Sequence, residues 1–175
     1  MKNSPKFFGC MDNILESKGF SVNLATMSDV EDIMDVFKKW KDIFPHKRKS
    51  HIIKHIEKRE VLWENGVVFI LATNRKPVKW GNHTLPAGDV RSKGIASFEP
   101  GNGHAYGIVE KVMSEVDKHG LSFWVDMRKS NQRSIDFHKK FGCVEYGDIF
   151  WADGTIEGII LKREGIGKLG NFFSD

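Results

Sequence analysis

The chain has 175 residues, 40% of them hydrophobic, which is enough for one domain with a sizeable core. Its net charge of +4 favours an anionic partner such as coenzyme A or nucleic acid. The cysteines, Cys10 and Cys143, form no CxxC motif, so neither a disulfide scaffold nor a zinc site is indicated and a reducing cytoplasm is expected. No apolar stretch approaches the roughly 18 residues that span a membrane, and the N-terminus lacks a signal-peptide core. We therefore expect a soluble, cytoplasmic protein without a membrane partner.

The N-terminal third predicts one strand followed by two helices. Residues 20–25 (FSVNLA) are typical of a short strand, and Ser28 and Glu31 have the spacing of a capping box at which a helix begins. Ser50 is the predicted N-cap of a second, shorter helix. The apolar residues at helical spacing are Val30, Ile33, Met34, Phe37 and Trp40 in the first helix, and Ile52, Ile53 and Ile56 in the second.

The middle of the chain predicts a buried strand, an irregular segment and a strand followed by a helix. Residues 67–72 (VVFILA) are continuously apolar, as expected of a strand at the sheet centre. Residues 74–92 favour turns or an irregular hairpin, because prolines and glycines recur among polar residues. Residues 94–100 (GIASFEP) predict a strand that ends at a proline. The glycine-rich segment 101–107 then leads into a helix with Gly120 as its C-cap.

The C-terminal third predicts a strand, a helix and a hairpin. Residues 121–127 alternate between apolar and polar, which is the period of a strand. Ser130 is the predicted cap of the next helix, which ends at Gly142. Residues 144–151 and 156–161 flank Ala-Asp-Gly and predict a hairpin.

Helices that alternate with strands predict an α/β fold with a mixed central sheet flanked by about four helices. We assign a single domain to residues 19–163. Residues 1–18 are an N-terminal extension and residues 164–175 a C-terminal tail, both of unknown purpose.

The segment 131–143 (NQRSIDFHKKFGC), which follows the strand LSFWVDM, is the most informative motif of the chain. It resembles the GNAT superfamily of N-acyltransferases, in which a strand precedes a helix of the form N-x-x-A-x-x-aromatic or Leu-Tyr-x-K-x-G-F. His138 stands where the family tyrosine stands. Ser134 replaces the alanine and Cys143 the phenylalanine. The resemblance extends more loosely over most of residues 20–162. The matching positions are Asn131, Phe137, Lys140 and Gly142.

The resemblance implies an acyl-CoA co-substrate, acetyl-CoA above all, and no metal. The family's pyrophosphate loop, R/Q-x-x-G-x-G/A, aligns with residues 104–109, which keep Gly107 but lack the arginine or glutamine. Such a loop works through backbone N–H groups and the positive end of the following helix. An ordinary strand-to-helix turn is the alternative interpretation. The implied diphosphate contacts are His104, Ala105, Tyr106, Gly107 and Ile108.

The family splays two neighbouring strands so that the donor's pantetheine arm pairs with an exposed strand edge. Here that edge would be Ala96, Ser97 and Phe98, and a backbone N–H of this strand would stabilise the oxyanion. The matching residues Asn131 and Phe137 of the motif helix are further expected donor contacts.

Three residues are predicted to move protons. His138 would protonate the leaving thiolate or act as a base, and its alternative is a histidine without a role. Glu99 and Asp126 are the candidates for the general base, or else they are solvated or capping acids. His51 and His55 lie four residues apart, but no HExxH pattern accompanies them, and a basic, solvated face is the simpler interpretation.

In the family, the loop between the first two helices often borders the acceptor site. Here Trp40 and Phe44 interleave with cations, a composition compatible with phosphate contacts and base stacking. We therefore expect transfer of an acetyl or other acyl group to a primary amine by direct attack through a tetrahedral intermediate. The alternatives are an enzyme that modifies a nucleobase amine, and an inactive GNAT-like binding domain. The candidate nucleic-acid contacts are Lys38, Lys39, Lys41, Lys47, Arg48 and Lys49.

Overall fold

The computed structural model describes residues 23–73, 76–151 and 154–165, and within them the chain forms four α-helices and eight strands. The helices are α1 (Val30–Lys39), α2 (Lys49–Glu57), α3 (His104–Lys118) and α4 (Gln132–Lys139). The strands are β1 (Val61–Glu64), β2 (Val67–Thr73), β3 (Val78–Trp80), β4 (His83–Leu85), β5 (Val90–Ser97), β6 (Phe123–Arg128), β7 (Val144–Trp151) and β8 (Ile156–Arg163). None of the described helices has the length and apolar character needed to cross a membrane.

Six strands form a mixed sheet in the order β1-β2-β5-β6-β8-β7, and β3 and β4 form a separate two-stranded sheet. β5 and β6 are parallel, whereas β1–β2, β6–β8 and β7–β8 are antiparallel. The predicted fold class, a mixed sheet with about four helices, is confirmed. The prediction that residues 67–72 lie at the sheet centre is wrong, since β5 and β6 occupy it. β2 is nevertheless buried almost throughout.

The chain clusters into two compact units. The first unit contains residues 1–71 and 94–112, and the second contains residues 72–93 and 113–175. The division cuts through β2, β5 and α3, so each of these elements contributes to both units.

The core of the first unit is built from the predicted apolar faces of α1 and α2. Its fully buried members include Ile33, Ile52 and Val68, and Met34 and Trp40 pack against it half-buried. The periodicity of the two helices is therefore confirmed. Burial of such side chains is the main stabilising contribution to this unit.

The starts of both helices differ from the prediction. The Thr26 N–H donates to Asp29 Oδ2 at 2.7 Å, and its hydroxyl donates to the same oxygen at 2.8 Å. This interaction precedes a short 3-10 turn, Met27–Asp29, so the capping box predicted at Ser28 and Glu31 is wrong by two residues. The N-cap of α2 is Arg48, which places Ser50 inside the helix.

The strand predicted at residues 20–25 is described only from residue 23. There Leu24 forms an isolated antiparallel bridge with Leu62 of β1, and residues 20–22 lie outside the described part of the chain. The sequence did not predict β1, which is only four residues long. It joins β2 through Asn65 and Gly66, whose φ angles of 50° and 71° suit a tight hairpin turn.

In the second unit, β3 and β4 form a short antiparallel hairpin in regular register, where the sequence favours turns or an irregular hairpin. His83 Nε2 lies 2.7 Å from Asp148 O, which joins this hairpin to β7. β5 begins at Val90, four residues before the predicted start. The buried Asp89 carboxylate accepts hydrogen bonds from the Ser122 N–H (3.3 Å) and from Trp124 Nε1 (2.9 Å), and thereby ties the start of β5 to β6.

The motif helix α4 is capped by Asn131, not by the predicted Ser130. The Asn131 side chain accepts a hydrogen bond from the Ser134 N–H at 3.3 Å. The C-terminal hairpin of β7 and β8 is confirmed over seven residue pairs, while its turn residues 152–153 lie outside the described part. At the start of the predicted tail, Ser122 Oγ donates to the Glu164 carboxylate and accepts a hydrogen bond from the Gly165 N–H.

Candidate active site

The end of β5, in the first unit, is held by side-chain and backbone contacts from two other elements. The Phe98 N–H donates to Gly66 O at 2.8 Å, and Trp40 Nε1 donates to Ser97 O at 2.8 Å. Ala96 and Ser97 are buried, whereas the Phe98 side chain is 47% exposed. The predicted donor-binding segment is therefore a fixed strand end that presents one aromatic side chain to solvent.

The glycine-rich segment that follows is a loop with an accessible backbone. Gly101 and Gly103 adopt φ angles of 95° and 82°, which glycine adopts without strain. Asn102 Oδ1 accepts a hydrogen bond from the His104 N–H at 3.0 Å where α3 begins. A methyl group built on Gly101, Gly103 or Gly107 would meet no described atom within 4 Å. The start of α3 is thus open on the side of its glycines, as a bound diphosphate requires.

A cleft of 380 Å³ lies beside this strand end, within the first unit. We call it the acidic cleft, because three carboxylates line it. Asp32 and Asp35 belong to α1 and follow each other after one turn of the helix, which places them on the same face. Its lining includes Asp32, Asp35, Trp63, Phe98, Glu99 and His104.

The candidate nucleic-acid contacts are largely engaged within the chain. Lys38 Nζ lies 2.7 Å from Asp35 Oδ1, Lys39 Nζ donates to Phe98 O, and Lys49 pairs with Glu31. Lys47 Nζ lies above the ring of Phe37, 5.8 Å from its centroid. Lys41 and Arg48 are exposed.

The two aromatic residues among these cations face inward. Trp40 and Phe44 both pack, half-buried, against the core of the first unit, and Phe44 makes an edge contact with Phe37 at 5.3 Å between ring centroids. A base that stacks on a protein needs an exposed ring face. The composition that suggested stacking therefore serves the core.

His138 lies on α4 in the second unit and is 1% exposed. Its Nδ1 is 2.8 Å from Ser134 O, and its ring stacks on Phe123 with 6.4 Å between centroids. Burial lowers the pKa of His138, although the hydrogen bond to Ser134 O opposes this. The neutral ring with its proton on Nδ1 fits these contacts. Nε2 then carries a lone pair and has no hydrogen-bond partner among the described residues.

These contacts separate the two roles expected of His138. A neutral imidazole whose N–H is bound to a backbone carbonyl has no proton to give to a thiolate near neutral pH. Its free nitrogen can still accept a proton. Of the two roles, the base therefore fits the contacts, and the acid does not.

The pH dependence of stability tests this protonation state. Because the pKa of His138 is lower in the folded chain than in the unfolded chain, the unfolded state binds more protons as the pH falls below about 6.5. Wild type should therefore lose more unfolding free energy than His138→Phe on acidification, by at most about 1.4 kcal/mol per pH unit. Urea unfolding between about pH 7 and pH 5 measures this difference. His51 is exposed, so His51→Phe is the control variant and should lose as much unfolding free energy on acidification as wild type does. Equal losses in wild type and His138→Phe would contradict the neutral state assigned to His138.

The other predicted residues of the second unit have structural partners. An oxygen of Asp126, on β6, lies 3.5 Å from the guanidinium of Arg91, which in turn lies 3.9 Å above the Trp80 ring. Asn131 caps α4, and Phe137 packs edge-on against His138. Their roles toward the donor and the acceptor remain predictions.

Cys143 is unsuited to covalent catalysis. It is 2% exposed, and burial raises the pKa of its thiol to about 12, despite the opposing charge of Arg163. The thiolate is the nucleophilic form of cysteine, so this side chain is inert near neutral pH. Cys10 lies outside the described part of the chain.

The structure therefore groups the predicted residues by unit. Phe98, Glu99 and His104 of the first unit line one cleft, while His138 and Phe137 of the second unit are neighbours on α4. The sequence analysis missed Asp32, Asp35 and Trp63. The two aspartates lie three residues apart, and this spacing indicates that they share one face of α1. The sequence analysis considered only the apolar face of that helix.

The structure is similar to solved N-acetyltransferases. Naa20 of Chaetomium thermophilum in complex with a bisubstrate analogue has a TM-score of 0.69 at 10% identity, with 86% of this chain and 89% of that chain covered. A GNAT-family acetyltransferase of Bacillus cereus has a TM-score of 0.61 at 14% identity, with 83% and 97% covered. The ribosomal-protein-S18-alanine N-acetyltransferase of Escherichia coli has a TM-score of 0.59 at 15% identity, with 82% and 92% covered. The sequence matches no protein-family model and no curated protein sequence.

At these identities the similarity is one of fold. The chain has the fold of the GNAT acetyltransferases, as the motif of residues 131–143 predicted.

Proposed function

We propose that this chain, which has the GNAT fold, is an N-acyltransferase that moves an acetyl group from acetyl-CoA to a primary amine. One observation supports acyl transfer in addition to the fold. The end of β5, the open glycine loop and the acidic cleft meet in the first unit, where Phe98, Glu99 and His104 contribute to the cleft wall. The donor site and the acceptor site that we propose would thus be adjacent at one strand end.

The donor is assigned to the backbone of the strand end and the loop. The His104 N–H donates to Asn102 Oδ1 and the Gly107 N–H to Gly103 O, so the helix dipole at the start of α3 is what favours an anion there. Glycines at 101, 103 and 107 leave room for the diphosphate to approach. The pantetheine arm would lie along residues 96–98. When bound, acetyl-CoA supplies an activated acyl group on a good leaving thiolate.

The reaction then needs one base and one oxyanion contact. The acceptor ammonium loses a proton, its lone pair attacks the thioester carbonyl, and a tetrahedral oxyanion forms. A backbone N–H of residues 96–99 would stabilise this oxyanion, other than that of Phe98, which donates to Gly66 O. The oxyanion then collapses to the amide carbonyl as the C–S bond breaks, the amide nitrogen gives its extra proton to solvent, and the released thiolate takes a proton from solvent.

Glu99 is our choice for the base. It lines the acidic cleft, is exposed, and forms no ion pair among the described residues. Asp126 is less suitable because Arg91 already engages its carboxylate. His138 is less suitable as well, because it is 1% exposed and its Nε2 is buried.

Transfer of the acetyl group can be measured directly. The chain should release CoA thiol from acetyl-CoA at a rate that depends on added primary amine, with one N-acetylated amine formed for each thiol. Thiol release that is independent of amine would indicate thioester hydrolysis. Binding of acetyl-CoA without any turnover would favour the alternative of an inactive GNAT-like binding domain.

A further inference from the structure

The acidic cleft suggests which acceptor the proposed transferase takes. We infer that the acceptor is a small aliphatic diamine or polyamine, whose second ammonium group binds Asp32 and Asp35. This inference depends on the proposed function for the reaction, but binding of the amine to the cleft can be tested without it.

The size and walls of the cleft fit such a molecule. Its volume of 380 Å³ falls within the range of small-molecule sites, roughly 300–1,000 Å³. Trp63 and Phe98 provide apolar faces for a methylene chain, and aromatic faces also attract cations. The cleft therefore combines an apolar wall with carboxylates, which is the combination that an aliphatic polyamine needs.

A lysine of the chain already shows that this wall accepts an alkylammonium group. Lys39 Nζ donates a hydrogen bond to Phe98 O and lies 5.1 Å from the centroid of the Phe98 ring. The same ring and strand end line the cleft. Lys39 holds these contacts itself, so they show that an ammonium group is favoured beside Phe98 and leave the carboxylates as the contacts for a ligand.

The carboxylates supply the charge. Asp32 and Glu99 form no ion pair among the described residues, so their charges are not neutralised by a neighbouring side chain there. Asp35 pairs with Lys38, but the two side chains are 57% and 67% exposed. Such exposed pairs are weak, and a ligand ammonium can replace Lys38.

The positions of the carboxylates separate their roles. Asp32 and Asp35 lie on α1, whereas Glu99 follows β5, where the thioester is proposed to lie. An amine with two charged nitrogens would place one beside α1 and the other beside Glu99. The first nitrogen anchors the molecule, and the second loses its proton and is acetylated. A phosphate-rich acceptor such as a nucleic acid would be repelled by the three carboxylates.

Putrescine and n-butylamine test the inference, because they share a four-carbon chain and differ in the second amino group. With wild type, the KM for putrescine should be about tenfold lower than for n-butylamine, since two exposed ion pairs each contribute a few-fold. In Asp32→Asn/Asp35→Asn this preference should fall to about twofold or less. Glu57 is an exposed carboxylate on α2 outside the cleft, so in Glu57→Gln the preference for putrescine over n-butylamine should remain about tenfold.

Calorimetric titration with putrescine in the absence of donor separates this inference from the proposed function. Binding that is weakened by Asp32→Asn/Asp35→Asn and by added salt supports the site, even if no acetyl transfer is found. Acetylation of both amines with equal KM by wild type would overturn the inference and leave the proposed function standing. Loss of the preference in Glu57→Gln as well would also overturn it, because overall charge would then explain the effect.

Discussion

Glu99→Gln is expected to lower kcat for acetyl transfer by about a hundredfold to ten-thousandfold, the usual contribution of a general base. The amide is close in size and shape to the carboxylate but cannot take a proton from the acceptor ammonium. Glu99 is exposed, so the substitution should leave the fold intact. Steady-state kinetics with saturating amine measures the effect, and the affinity for acetyl-CoA should be unaffected because the donor is assigned to backbone groups.

Two controls make this result interpretable. Glu57→Gln removes the same charge from an exposed position on α2 and should retain the wild-type kcat. His138→Phe removes the buried histidine of the second unit, to which the assignment of Glu99 gives no part in proton transfer. Full activity in Glu99→Gln would mean that the assignment of Glu99 is wrong.

Gly107→Glu is expected to weaken acetyl-CoA binding by a hundredfold or more. The new carboxylate would lie at the start of α3 beside the proposed diphosphate, and two like charges about 4 Å apart near a protein surface repel by roughly 4 kcal/mol. Thermal unfolding provides the readout. Acetyl-CoA at 100 times the wild-type Kd should stabilise wild type by about 2.7 kcal/mol and the variant by about 0.4 kcal/mol or less.

Gly107→Ala is the matched control for this position. The added methyl group meets no described atom within 4 Å, so it should leave acetyl-CoA affinity within about threefold while it raises helix stability by up to about 1 kcal/mol. Equal acetyl-CoA affinity in the alanine and glutamate variants would mean that the diphosphate does not lie on this loop.

The sequence predicted the helices and strands whose buried residues recur at a regular helical or strand spacing. The apolar residues of α1, such as Ile33 and Phe37, lie in the core because their spacing leaves one face apolar. The hairpin of β7 and β8 was predicted from alternation and a turn signal. The start of β5 was missed because it depends on Asp89, whose buried hydrogen bonds to Ser122 and Trp124 come from a distant part of the chain.

The sequence predicted only those residues of the candidate site that lie close together along the chain. Glu99 and His104 were found because they flank the glycine-rich loop. Asp32 and Trp63 come from other segments and become neighbours of that loop only in the folded chain. The charges were interpreted incompletely for the same reason, since the lysines at the end of α1 and at the start of α2 appeared free in the sequence. Lys38, Lys39 and Lys49 find their partners through folding.

The measurement that tests acyl transfer most directly is mass spectrometry of the amine after incubation with the full chain and acetyl-CoA, with putrescine as the acceptor. We predict a product that carries one added acetyl group, formed in equal amount to the CoA released and reduced at least a hundredfold in rate with Glu99→Gln. Acetyl-CoA that stays intact with putrescine, n-butylamine and lysine-containing peptides alike would contradict the account.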